Sequence, residues 1–272
     1  MKNVIMKNKN EKTVLIISLI ISVLSAYSAI RGFIDEDLYG GIISTGVFKP
    51  VYMAGTISQD IITIASSAIM IVLAVLYIKR KDARIFITIL GLLSFYFYAY
   101  GTYVISVLYT PIYFIYMIIF ALSIFGIILG VSGFEMEDMK GLYLPKWLRI
   151  SNAAFLSLIV CIFVLMWASM MIPYIQSHTV PDMYAIFILD LCFVMPFFIA
   201  VIYMLIKNYK SAYPLLGIAL TKTITLILAV TIGEITFPAH GIGIDIIMIV
   251  IYSVVIVISS LLFVFYYLGL KT

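Results

Sequence analysis

The sequence predicts an all-α, polytopic transmembrane helical bundle of eight spans, and three observations carry that expectation. Hydrophobic residues fill 64% of the 272 positions and charged residues only 11%, against roughly 25% charged in soluble domains. The apolar residues form long runs of the length, about 20 residues, that crosses about 30 Å of hydrocarbon. Lysine and arginine gather in alternate loops between those runs. A water-soluble fold is excluded. The formal charge of +4 lies in short inter-span loops, with no basic tract for nucleic acid.

The elements follow in order. A tail, 1–12, carries Lys2, Lys7, Lys9 and Lys12, and the first span covers 13–30. Four lysines, a short apolar core and the small residues Ser25-Ala26-Tyr27-Ser28-Ala29 also resemble a secretory signal peptide, whose cleavage leaves seven spans. The second span is 57–78. No charge occurs between Arg84 and Glu135, a stretch too long for one crossing at about 1.5 Å per residue. It therefore holds two spans, 85–107 and 111–132, broken at Thr110-Pro111, because proline disfavours helix for the residue before it and suits a helix's first turn. Spans at 150–171, 183–206, 213–232 and 244–268 complete the single transmembrane domain 13–268, followed by a tail at 269–272.

Orientation follows from the loops. Lys79, Arg80, Lys81 and Arg84 separate spans two and three; Lys140, Lys146 and Arg149 separate spans four and five; Lys207, Lys210 and Lys271 lie on the same side. Arg31 and Lys49 fall on the other, with Asp35, Glu36, Asp37 and Asp182. The positive-inside rule makes the first side cytoplasmic, with both termini on it and the chain multi-pass in the cell membrane.

In this reading spans one and five run in the same direction, so two four-span halves would form a parallel repeat. Span two has Gln59-Asp60, the basic KRKDAR and Ile89-Leu90-Gly91-Leu92-Leu93; span six has Leu189-Asp190, KNYK and Leu215-Leu216-Gly217-Ile218-Ala219. Aspartate, basic loop and Leu-Gly recur in order, with spacings that differ by a few residues.

Ionisable groups within spans are expensive and mark ligand or ion paths, pairs or bends. Five stand out: Asp60, Asp190, Lys222, Glu234 and Asp245. Asp60, Glu234 and Asp245 lie near the outer ends of their spans, where water or headgroups reach them. Asp190 is roughly 10 Å below the outer edge and Lys222 roughly 14 Å above the inner one, so an ion pair between spans six and seven is geometrically open. Such a pair serves equally as a clasp or as part of a ligand site. Pro196, below Asp190, predicts a kink that frees a backbone carbonyl.

Tyr96, Tyr100 and Tyr103 share one helical face, and Tyr109, Tyr113 and Tyr116 repeat that spacing. The first reading is an aromatic belt at the headgroups, which Trp147 and Trp167 also fit; the second is an aromatic-walled pocket with Asp60 at its mouth. Gly126 and Gly130 form a GxxxG for close helix packing. Cys161 and Cys192, without CxxC spacing, read as small core hydrophobes. His178 and His240 have no ligand-spaced partner, Gly241-Ile242-Gly243 reads as a flexible loop, and no catalytic or metal motif occurs.

The stretch from Gln59-Asp60 through the basic loop to YFYAYGTYVIS and PIYFIYMIIFALSIFG, with the later LDLCFVMPF, resembles a family of uncharacterised prokaryotic multi-span membrane proteins. The resemblance covers most of the chain from span two onward. It implies prokaryotic origin, and its recurring aspartates coincide with Asp60 and Asp190. Two functions remain open beside the lipid bilayer as solvent. One is a small-molecule or ion transporter or receptor with an outward-facing cavity of Asp60, Asp190, Lys222 and the span-three tyrosines. The other is a membrane scaffold or accessory subunit whose charges are clasps and whose partner is another membrane protein. An intramembrane enzyme needs a convergent catalytic set that the sequence does not offer; the discontinuous, Gly- and Pro-rich helices common in transporters are also scarce.

Overall fold

A computed structural model describes residues 4, 6–35, 37–39, 50–241 and 243–271, without the side chains of 50–54, 239 and 240. Glu36, Lys49, Ile242 and the His240 side chain therefore lie outside the described residues, as do parts of both tails. Eight helices are long and apolar enough to cross a membrane. They are α1 (Glu11–Ile34), α2 (Pro50–Arg80), α3 (Ala83–Ile105), α4 (Tyr113–Ser132), α6 (Lys146–Ser177), a sixth span described below, α9 (Ala212–Thr236) and α10 (Ile246–Gly269), with a short α5 (Met136–Lys140) between spans four and five. The chain is an integral membrane protein.

Several helices outrun their expected spans, α2 and α6 by the most. α2 begins at Pro50 rather than near 57, because proline's fixed φ and missing N–H suit a helix's first turn. α6 runs past 171, through Pro173, to a left-handed cap at His178. The uncharged stretch divides as its proline predicts, with α3 ending at Ile105 and α4 starting at Tyr113.

The sixth span is not one regular helix. α7 (Tyr184–Leu189) passes into a π-turn (Asp190–Val194) and then into α8 (Met195–Ile206). Pro196 has no N–H to complete an i→i−4 bond, so the ladder above it is free to widen. The proline signals the interruption, and its form is a π-turn centred above the proline.

α3 and α9 are the central helices, with 78% and 61% of their spanning windows buried, whereas α10 has 11%. They pack side by side and in the same direction. Gly91 of α3 meets Thr221 of α9, and Gly217 of α9 meets Ile87 of α3. Neither contact has room for a Cβ, and close backbone approach of this kind is what holds helices together where lipid gives no hydrophobic drive. Gly126 and Gly130 meet Leu93 and Leu90, so the GxxxG packs α4 onto α3 within the chain.

The packing of the first half recurs in the second. α1 packs on α2 and α4, and α3 on α2 and α4; α6 packs on α8 and α10, and α9 on α8 and α10. Between the halves α3 meets α9, α2 meets α9 and α7 meets α3, the set expected of two like units around a two-fold axis. Each half is also closed at its base in the same way. A β-bridge joins Asn8, before α1, to Phe134, after α4; another joins Tyr143, before α6, to Lys271, after α10. The helices bear out a parallel 4+4 arrangement. Its register corrects one detail: Asp60 and Asp190, Ile87 and Gly217, and Gly91 and Thr221 are each 130 positions apart, so Gly91 corresponds to Thr221 and not to Gly217.

The basic loops gather at one end. There Lys81 pairs with Glu11 at 2.7 Å, Tyr77 donates to the same carboxylate at 2.6 Å, and Asn8 donates to the Gly130 carbonyl at 2.7 Å. A buried ion pair, Arg84 with Asp82 at 2.6 Å, opens α3 and ties it through the Tyr267 carbonyl to α10. Cys161 and Cys192 are exposed on the bundle's outside, which corrects their expected core position. Lipid solvates them as it does the leucines and isoleucines around them.

Candidate functional site

Two buried aspartates occupy corresponding places in the two halves, and their surroundings differ. Asp60 on α2 is 1% exposed. It accepts from the Tyr39 hydroxyl at 2.7 Å and from Tyr103 at 3.5 Å, with Gly32 of α1 packed against the carboxylate. Tyr100 and Tyr116 close the niche through ring contacts with Tyr103. Burial, then the neighbouring Tyr103 and Asp60, hold the Tyr39 hydroxyl well above the usual phenol range, so it stays a donor. Among the described residues, Asp60 is thus walled in by tyrosine, and it is not part of the cavity lining described below.

The span-three tyrosines are correspondingly not a headgroup belt. Tyr96, Tyr100 and Tyr103 are all buried, and so is Tyr116; Tyr109 is exposed. Tyr96 pairs with Ser67, and Tyr100 donates to the Ser25 carbonyl. The stripe faces α1, α2 and α4 because serine hydroxyls and carbonyls there satisfy phenols in a region without water. Trp147 is exposed as a belt residue would be, while Trp167 is buried.

Asp190, the first residue of the π-turn, is 3% exposed and accepts from Trp167 Nε1 at 2.9 Å. Tyr98 of α3 also interacts with this carboxylate. Lys222 of α9 joins the cluster over Tyr98, with Nζ 4.5 Å from that ring's centre and 5.7 Å from Phe198's. The expected direct Asp190–Lys222 ion pair is replaced by this arrangement: among the described residues, the ion pairs within 4 Å do not include it. The tyrosine serves both charges, its ring face on the ammonium and its hydroxyl on the carboxylate, while the two still attract through the low-dielectric interior.

Beside Asp190 lies a cavity of about 310 Å³ between the two halves. α2 contributes Thr56, Ser58 and Gln59; α3 contributes Tyr98, Thr102 and Tyr103; α6 contributes Phe163 and Trp167. α9 lines it from Leu226 to Gly233 and Glu234, with Phe237 and Tyr252 beyond. It reaches Leu108 and Met183, in the loops opposite the basic end. The volume falls within the roughly 300–1,000 Å³ of small-molecule sites, and mostly apolar walls with a few convergent polar groups are their usual lining.

Of the sequence candidates, the structure brings Asp190, Glu234 and Tyr103 to this cavity. Lys222 lies on a separate apolar groove of α3, α4, the π-turn, α8 and α9. Asp60, Tyr96 and Tyr100 belong to the closed niche. Asp245 is exposed and caps α10, accepting from the Ile247 and Met248 amides at 3.0 and 3.1 Å, so its local role is structural. Pro196 is exposed on the sixth span, below the π-turn. Trp167, Tyr98 and Gly233 were not among the expected site residues. Tyr98 had a signal, since it lies off the 96–100–103 face and so points to other neighbours.

No known protein family, curated protein or solved structure matches the chain.

Proposed function

We propose that the chain binds a small molecule, as a transporter or receptor, in the cavity between its halves. The observation that carries this reading is a buried carboxylate on a π-turn, facing a cavity at the interface of two like four-helix units. Regular transmembrane helix is interrupted where it lines a cavity, π-turns concentrate at functional sites, and repeat interfaces are where such proteins hold ligands. The basic end faces the cytoplasm and the cavity opens outward, in the cell membrane of a prokaryote. One observation favours the scaffold reading instead: Trp167, Tyr98 and Lys222 already serve Asp190, as a clasp between helices would require.

A thermal-shift screen of the detergent-purified protein against a metabolite and ion panel separates the two. A binding protein gains stability from at least one compound, and Gly233→Tyr, which fills the cavity from α9, erases that gain. A panel that moves nothing, or a gain that survives Gly233→Tyr, contradicts the proposal.

A further inference from the structure

The two halves are two versions of one site, and the closed one indicates what the open one takes. Residues 130 apart correspond in the central helices, so Tyr96, Tyr100 and Tyr103, which fill the first niche, answer to Leu226, Val230 and Gly233, which line the cavity. The first helix of each half is offset slightly more: Asn8 and Tyr143, which precede α1 and α6 and begin the two basal bridges, are 135 apart. By that offset Gly32, packed on Asp60, answers to Trp167, bonded to Asp190. In the first half a phenol hydroxyl reaches the aspartate on an aromatic body. In the second, Gly233 stands where Tyr103 would, and it borders the cavity beside Ser58.

From this correspondence, which rests on the cavity being a ligand site, we infer that the ligand is a small organic cation: an ammonium group on an aromatic or apolar body, with its head toward Asp190 and Glu234. Charge selects the head. Among the described residues, and tyrosines aside, the ionisable residues lining the cavity are those two carboxylates. Asp245 lies close enough to Glu234 for their charges to repel, which deepens the negative potential at that side. Lys222, the neighbouring cation, sits over the rings of Tyr98 and Phe198 and is not among the lining residues. The walls add the aromatic rings of Tyr98, Phe163, Trp167 and Tyr252, and a ring's face attracts an ammonium and repels a carboxylate.

Three probes of one shape test this: 2-phenylethylamine, 2-phenylethanol and 3-phenylpropionate, added at millimolar concentration to the purified full-length protein, with melting temperature read out. The amine raises it by about 2–4 °C while the alcohol and the acid do not, and the rise is at least halved in Glu234→Gln. Glu234→Gln lies at the half-buried edge and keeps its shape, so it folds; Gly233→Tyr, which removes the space itself, abolishes the rise by a different route. A rise with the alcohol or acid equal to the amine's overturns the cation and leaves the cavity standing. No rise with any of the three overturns the organic-cation assignment, and the metabolite and ion panel decides separately whether the cavity is a site. A rise with the amine that both variants retain places its binding elsewhere and overturns the assignment.

Discussion

Asp60 and Asp190 are chemically alike, and what distinguishes them is the residue facing each. Tyr39 holds Asp60 at 2.7 Å, so removing the acceptor leaves a phenol buried in a dry niche at a cost of about 1–3 kcal/mol. Asp60→Ala is therefore expected to lower the melting temperature by several degrees, whereas Asp60→Asn, which keeps an acceptor of the same shape, stays near wild type; equal losses from both would refute that account. Residues of this kind were only half legible beforehand. That Asp60, Asp190 and Lys222 matter follows from the cost of charge in lipid. That Trp167 is a donor and not a belt residue does not, because an amphipathic ring suits a headgroup and a buried carboxylate equally. The same ambiguity hid the burial of Tyr96, Tyr100 and Tyr103: periodicity shows that they share a face, and only the neighbouring serines and carbonyls show where that face points. Asp82 and Arg84, two positions apart beside a loop, read as loop charges until the fold buries them together.

At the scale of helices, the crossing of α3 and α9 organises the bundle. Gly91 has the Thr221 side chain where its Cβ would go, so Gly91→Ala forces the helices apart; overpacking of this kind costs about 1–3 kcal/mol. Gly243→Ala meets nothing within 4 Å and serves as the control. Detergent-resistant folded yield and melting temperature should fall for the first and hold for the second, and an unaffected Gly91→Ala would deny the close crossing. Span number and the break at Thr110-Pro111 were legible because hydrocarbon thickness sets length and proline sets a boundary. The π-turn was not. Its proline is visible in the text, but widening at Asp190 depends on what α3, α6 and α9 present to that turn.

For the whole molecule, the distribution of lysine and arginine predicts which end faces the cytoplasm. In a Cys161→Ser, Cys192→Ser background, a cysteine at Thr179 should react with a membrane-impermeant maleimide in intact cells and one at Lys140 only after lysis; the reverse pattern would invert the protein and turn the cavity mouth inward. The 4+4 plan was partly legible too. The two aspartates recur at the structural spacing, while the Leu-Gly match slips by one helical turn, since apolar text aligns in several registers with nearly equal ease. The central claim is that Asp190 serves a ligand and is not a clasp. Its most direct test is the melting temperature of wild type, Asp190→Asn, Lys222→Met and the double variant, each with and without the compound that stabilises wild type. A ligand site predicts that Asp190→Asn melts within about 2 °C of wild type, a change of under about 1 kcal/mol, and loses the ligand's shift. Two destabilised single variants, a restored double and no shift from any compound would instead show a structural pair.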